Sequence, residues 1–367
     1  MTAPIPPVDL SVQHAEIAGE VEAGWAQVLE RTAFINGPQV GEFERAYAEF
    51  SGVGHCIGVG NGTDALEFAL RAAGAGPGTE CVLPTNSFIA TAEAVARTGA
   101  TAVFVDCDPA SFLIDTKAAL AAITERTKAI LPVHLYGQIA PVEELLPVCA
   151  EHGVTVVEDA AQSQGATRNG AVSGSIGHIA GTSFYPGKNL GAYGDAGAVT
   201  TNDDALAESV RLLRDHGSPA KYVHSTLGFN SRLDTLQAVV LSAKLKRLAA
   251  WNTARAEAAA YYTELLGGLA GVVPPSTLPG NTHVWHLYVI RVAERDRVVA
   301  HLRDNGVGAA IHYPTPIHLT EPFAGAGRGA FPNAEQVTGE ILSLPIYPGI
   351  TRAQQDRVVE VLAEAVR

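Results

Sequence analysis

Short apolar runs rich in β-branched residues recur through the first half of the chain: Cys56–Val59, Cys81–Leu83, Ala102–Val105, Ala129–Val133, Val154–Val157, Thr182–Tyr185 and Ala198–Thr201. Between several of them lie alanine-rich stretches of helical character, Asp64–Ala73, Ile89–Thr98, Val142–His152 and Asp204–Asp215. Strand-length runs alternating with helical stretches predict an α/β fold, a mostly parallel sheet covered by helices on both faces. Ligands of such sheets sit at the carboxyl ends of the strands.

The pattern then changes. Asp234 to Leu266 reads as one long helix, and Gly267-Gly268, Gly271, Pro274-Pro275 and Pro279-Gly280 interrupt the chain after it. Beyond these breaks the pattern predicts a strand over His283–Val292 and helices over Arg295–Asn305 and Arg352–Val366. The chain therefore divides into a large domain, residues 1–245, and a smaller α+β domain, residues 246–367. No internal repeat or low-complexity tract is visible.

Bulk properties narrow the function classes. The 367-residue chain is 47% apolar and 17% charged, a globular rather than disordered composition. A net charge of −13 argues against non-specific nucleic-acid binding but leaves room for an anionic small substrate held by local donors. The four cysteines, Cys56, Cys81, Cys107 and Cys149, form no C-x-x-C pair and read as structural thiols of a reducing compartment. No apolar run reaches the roughly 18 residues of a membrane span. Met1 to Asp9 lacks the basic and apolar regions of a signal peptide, so a cytoplasmic location is expected.

Three segments carry chemistry. Lys188 lies in Ser183-Phe184-Tyr185-Pro186-Gly187-Lys188-Asn189-Leu190-Gly191, a strand breaking into a Gly/Pro turn. The run Val154–Val157 delivers Glu158-Asp159 at a strand end, and Gly58–Leu66 reads as strand, glycine turn and helix start. A lysine, a strand-end carboxylate and an anion site at a helix N-terminus are the parts that hold pyridoxal 5'-phosphate: Schiff base, partner of the ring nitrogen and phosphate cup. The glycine turn alone is ambiguous, because Gly60-x-Gly62-x-x-Ala65 also fits the dinucleotide fingerprint. A nicotinamide site wants an acid at the end of the next strand, yet that run closes Leu83-Pro84-Thr85-Asn86. Plainer roles stand beside the chemical ones: Asp159 as a helix cap, Phe88 as core, Asn230 bonded within its own loop. His312 and His318 have no metal-ligand spacing and read equally well as surface residues.

Taken in order, Gly60-x-Gly62-Thr63-Asp64-Ala65-Leu66, Ser87-Phe88-Ile89-Ala90-Thr91-Ala92-Glu93-Ala94, Pro132-Val133-His134-Leu135-Tyr136-Gly137, Glu158-Asp159-Ala160-Ala161-Gln162, Ser183 through Asp195, and Gly228-Phe229-Asn230-Ser231-Arg232-Leu233-Asp234 resemble the nucleotide-sugar aminotransferases. This is the DegT/DnrJ/EryC1/StrS family of fold type I pyridoxal-phosphate enzymes, and the resemblance covers essentially the whole chain. It implies an aspartate-aminotransferase-like fold and a homodimer with shared sites. By position it implies Lys188 as the covalent lysine, Asp159 as partner of the ring nitrogen, Gln162 bonding the ring 3'-oxygen and Phe88 stacking on the ring. Gly62, Thr63 and Ser183, with Asn230 from the partner subunit, would hold the phosphate. Two positions depart from the family pattern, Gln164 where histidine is common and Ala196 where glycine is. The segment from Gly308 to Leu319 most resembles enzymes that aminate C3 of a dTDP-3-keto-6-deoxyhexose with glutamate as donor. The 4-keto branch is the alternative. Tyr193, Lys221, Arg232, His312, Tyr313 and His318 are the expected sugar-nucleotide contacts. A related sugar dehydratase would carry histidine in place of Lys188, and a non-catalytic sugar-binding homologue would have lost Lys188 or Asp159.

Overall fold

The computed structural model describes residues 3–326 and 329–367. Its main element is a seven-stranded sheet in the order His55–Val59, Gly197–Thr201, Ile179–Ser183, Thr155–Asp159, Thr127–Ile130, Glu80–Pro84, Thr101–Val105. Gly197–Thr201 runs antiparallel to both of its neighbours, and the other strands pair parallel from Ile179–Ser183 outward. The predicted mostly parallel sheet is therefore present. One strand, Gly197–Thr201, returns against the grain after the connection 184–196, which holds Lys188 and contains no helix.

The helix Gly62–Ala72 follows directly on the strand His55–Val59. Asn61 caps it, accepting from the Asp64 amide at 2.8 Å. The buried side chains Leu66, Phe68, Ala69 and Leu70 press this helix onto the sheet. Contact is close at Gly181, where a Cβ would stand 2.9 Å from the Leu66 amide nitrogen. That close approach sets the helix N-terminus beside the carboxyl ends of Thr155–Asp159 and Ile179–Ser183.

A second, three-stranded sheet joins Val272–Val273, Tyr288–Val292 and Ile341–Leu344. Its core gathers Tyr262, Tyr288, Val298, Leu302, Leu342, Val358 and Leu362, and Ile5 belongs to it as well. The Ile5 amide donates to Gly306 O, and Ile5 O accepts from the Gly308 amide, each at 2.8 Å. The N-terminal segment thus packs with the C-terminal part of the chain.

Three features differ from the expected pattern. The long helical stretch from Asp234 is two helices, Thr235–Leu245 and Leu248–Leu266. No glycine or proline marks the break; Lys246 and Arg247 both reach Glu20 there, at 3.0 and 2.6 Å. The strand expected from His283 begins only at Tyr288, because Trp285 takes a left-handed conformation (φ 50°) and its ring stacks on His283 at 3.9 Å. Two N-terminal helices, Ser11–Arg31 and Pro38–Ser51, were not part of the expected pattern. All four cysteines are free and buried. No described helix is long and apolar enough to cross a membrane.

Beneath the strand ends lies a fully buried pair, His134 and Glu158, 2.7 Å apart. Glu158 also accepts from the amides of Gly174, Ile176 and Gly177 at 3.0, 2.8 and 2.6 Å. Burial alone would push its carboxyl up; the bonds from His134 and these amides outweigh it and hold the group below the usual carboxylate range. Its contribution to stability is therefore present above the unfolded carboxyl value of about 4.3, and is lost as pH falls through the lower folded value. Glu158→Ala leaves His134 and three amides unanswered and should cost about 3–5 kcal/mol, read as a lower thermal and denaturant midpoint. An unchanged midpoint would contradict this role.

Candidate active site

A cavity of about 500 Å³ opens at the carboxyl ends of the central strands. Asp159, the last residue of its strand, stands in the wall. Its backbone is held by Pro132 O, which accepts from the Asp159 amide at 3.0 Å. Thr91 Oγ1 donates to Oδ2 at 2.7 Å, and the Ala161 amide donates to Oδ1 at 3.2 Å. Burial pushes the Asp159 carboxyl up, and Thr91, the Ala161 amide, Lys188 and His134 only partly offset it. This is a carboxylate short of positive charge.

Lys188 faces it from the turn that leaves Ile179–Ser183. The turn is pinned on both sides of the lysine. The Lys188 amide donates to Tyr185 O at 2.8 Å, and Asn189 Nδ2 donates to Asn252 Oδ1 and Val284 O, each at 2.9 Å. Desolvation lowers the Lys188 ammonium to about 8 against the opposing field of Asp159. A lysine so placed yields its free amine near neutral pH, as nucleophile or base.

At the other end of the cavity, Gly62 and Thr63 open the capped helix beside Ser183. A Cβ on Gly62 would lie 2.5 Å from Ser183 Cβ, so only glycine leaves the cup open. The helix N-terminus adds its partial positive charge. Between the two ends, Gln162 Oε1 accepts from the Tyr136 amide at 2.7 Å, and its Nε2 donates to Tyr313 Oη at 3.1 Å. Phe88 is 50% exposed, with its ring centroid 5.2 Å from that of Tyr313.

The DegT/DnrJ/EryC1/StrS aminotransferase family model matches residues 15–363. The chain belongs to that family. It is 46% identical over 367 residues to the "Pleiotropic regulatory protein" of Geobacillus stearothermophilus, covering 99% of each. It is 43% identical over 365 residues to the "dTDP-3-amino-3,4,6-trideoxy-alpha-D-glucose transaminase" of Streptomyces venezuelae, covering 99% of this chain and 96% of the relative. Among solved structures it is similar to S. venezuelae DesV in complex with a ketimine intermediate, with TM-score 0.97, 43% identity and full coverage of both chains. The protein is an aminotransferase with the aspartate-aminotransferase-like architecture, and its cofactor is pyridoxal phosphate.

The cavity fits that cofactor on its own chemistry. It offers a buried acid in need of a cation, an amine of lowered basicity opposite it, and a glycine-opened helix terminus for a dianion. Gln164, at a position where the family often has histidine, is accommodated by the backbone. Its Nε2 donates to Thr182 Oγ1 and Ser183 O, each at 2.9 Å, and to Ala161 O at 3.2 Å; its Oε1 is buried without a partner. The methyl group of Ala196 is simply part of the core.

The expected substrate contacts divide. His312 and Tyr313 line the cavity. His312 Nδ1 lies 2.8 Å from Ser343 Oγ, and burial lowers its imidazole to about 4, so it is neutral. His318 is a correction: it is buried away from the cavity, 2.7 Å from Thr85 Oγ1 and edge-on to Phe331, where it ties its segment to the sheet. Tyr193 also points elsewhere, bonding His14 at 2.5 Å and lying under the Lys244 ammonium. Arg232 is committed to Asp215 at 2.7 Å and to Asn230 Oδ1 at 2.9 Å. Lys221 rests on the Tyr222 ring. Asn230, Arg232 and Lys221 all lie outside the cavity of their own chain. Two lining residues had no signal in the sequence, His286 and the buried Arg255.

Gly62→Ala tests the cup. The added methyl group must displace Ser183, so the cofactor should be retained roughly tenfold less tightly, the loss of one charged hydrogen bond, while circular dichroism stays unchanged. Unaltered retention through dialysis would remove Gly62 from the phosphate site.

Proposed function

We propose that this enzyme moves an amino group from glutamate to the keto carbon of a nucleotide-linked sugar, C3 of a dTDP-3-keto-6-deoxyhexose. The observation that carries the reading is Lys188 facing Asp159 across the cavity of a chain 43% identical, end to end, to a dTDP-3-amino-sugar transaminase. The Geobacillus relative is named a regulatory protein, but a non-catalytic sugar-binding homologue has no use for a desolvated lysine in one cavity with a buried acid. The 4-keto branch remains the alternative substrate.

Pyridoxal phosphate, when bound, supplies a ring that accepts the electron pair left when a proton departs from the carbon bearing nitrogen. Asp159 keeps the ring nitrogen protonated; its raised affinity for positive charge is what suits it to that task. Gly62, Thr63 and Ser183 would take the phosphate, Gln162 the ring oxygen, and Phe88 would cover one face of the ring. Lys188 Nζ would hold the cofactor covalently at rest and, once freed by the incoming amine, its neutral form would take the proton from the donor's α-carbon and hand it back as an acid. The acceptor half of the cycle runs the same proton transfer in reverse. Tyr313 and His312 border the acceptor's sugar ring.

The active unit is a homodimer in this reading, with Asn230 completing the partner's phosphate cup. The loop bearing Asn230 supports this. Leu227 is 92% and Tyr222 84% exposed, apolar surface that a partner would cover. The same reading includes a large domain, 1–245, a small one, 246–367, and a cytoplasmic setting.

Asp159→Asn should keep the shape and lower turnover roughly a hundred- to a thousandfold. Near-normal turnover with cofactor bound would refute its role. Under subunit exchange, inactive Lys188→Ala and Asn230→Ala proteins should together regain activity, since each heterodimer holds one intact site. No recovery despite proven exchange would count against the shared site. Coupled assays with glutamate should show amination of the 3-keto sugar over its 4-keto isomer, with product NMR placing the new amine.

A further inference from the structure

The segment that bears Asn230 is built onto the phosphate cup of its own chain, and Ser231, 5% exposed, is the joint. Its Oγ accepts from the Gly60 amide at 3.0 Å and donates to Asp64 Oδ2 at 2.6 Å. Gly60 follows the strand His55–Val59, and Asp64 lies in the first turn of the helix Gly62–Ala72. A hydroxyl can do both jobs because it accepts and donates at once. Asp64 is fixed in turn: Asn61 Nδ2 donates to Oδ2 at 3.0 Å, and Arg97 pairs with Oδ1 at 2.9 Å. The Ser231 amide donates to Arg214 O at 3.0 Å, while Arg214 Nη1 donates to Gly58 O at 2.8 Å. The packing is close, since a Cβ on Gly58 would stand 2.8 Å from Leu233 Cβ. One hydroxyl thus ties the segment to both sides of the turn that opens the cup. On the other side of Asn230, Arg232 Nη2 donates to Asn230 Oδ1 at 2.9 Å. With its oxygen taken, the exposed Asn230 amide keeps its Nδ2, which donates to none of the described residues, for a phosphate oxygen.

We propose that Ser231 is a positioning residue for two phosphate cups at once, that of its own chain and that of the partner. The inference rests on the shared-site reading above and names what holds the shared arm. In its own chain, Ser231 clamps the glycine turn to the helix start, where Gly62 and Thr63 stand. In the partner's site it acts through Asn230, the residue before it, whose amide has to reach a phosphate bound by another chain. Removing the hydroxyl leaves the Gly60 amide and the Asp64 carboxylate short of a partner and releases the segment from the turn. Each cup is therefore held by the same bond that aims the arm it lends, and one substitution weakens both sites of the dimer. A network couples two sites only if both respond to it, so the response has to be read at each site separately.

The test uses heterodimers isolated through a different affinity tag on each chain. A Lys188→Ala chain paired with an Asn230→Ala chain leaves one intact site. Its cup and lysine come from the second chain, and its arm comes from the first. Only that site carries Lys188, so pyridoxal phosphate fixed by borohydride at increasing cofactor concentration reports its dissociation constant alone. Ser231→Ala on the cup chain should raise that constant roughly 3- to 10-fold, as for a lost hydrogen bond. The same change on the arm chain should raise it by a similar factor, although that chain's own cup is not being read. Where the arm chain also carries Asn230→Ala, Ser231→Ala there should add nothing, because the route runs through Asn230. Asp64→Ala on the arm chain removes the acceptor of the same hydroxyl from the helix side and should repeat the loss, which keeps the test open if Ser231→Ala fails to assemble. A loss confined to either chain overturns the proposal, and so does no loss from both. A loss from the arm chain that persists without Asn230 is general loosening and overturns it too. A starting heterodimer with no intact site would instead sink the shared-site reading beneath it.

Discussion

Everything in this molecule turns on keeping two opposite charges desolvated and apart at the ends of neighbouring strands. Asp159 is raised and Lys188 lowered by the same cause, exclusion of water, and each is only partly compensated by the other. A tighter contact would make an inert ion pair. Exposure to solvent would return both to ordinary acidity. The parallel strands place Asp159 at a carboxyl end, and the connection between Ile179–Ser183 and its antiparallel neighbour Gly197–Thr201 carries Lys188 into the same cavity. The space between them suits a flat, cationic ring.

The shell around that pair is rigid because its polar groups are spoken for. Thr91 orients Asp159, the Tyr136 amide orients Gln162, and Asn189 ties the lysine turn to Asn252 and Val284. The buried His134–Glu158 pair underpins the same strand ends with four hydrogen bonds to one carboxylate. Such networks are costly to break in part, so they specify one arrangement of the site.

What was legible in the sequence was what local chain features report. Strand ends, glycine turns and caps are written in neighbouring residues, which marked Gly62, Asp159 and Lys188; the family resemblance added Thr63, Gln162 and Ser183, and all six proposed cofactor contacts line a single cavity. The mostly parallel sheet was legible for the same reason. Side chains whose partners are distant were not. His318 carries a chemically suggestive name but bonds Thr85, 233 residues away. Arg232 is consumed by Asp215, and Tyr193 by His14 and Lys244. Arg255 escaped notice because its contacts are backbone carbonyls 30 and 91 residues off, which no side-chain motif encodes. The break after Leu245 was hidden because charge pairing with Glu20, not glycine or proline, accompanies it.

The central claim is that one lysine, desolvated opposite Asp159, carries the cofactor. Borohydride reduction of the purified enzyme, followed by proteolysis and mass spectrometry, tests it most directly. The reduced cofactor should be found on Lys188 alone, at one equivalent per chain. A label on any other lysine, or none on Lys188 in a protein that carries the cofactor, would contradict it.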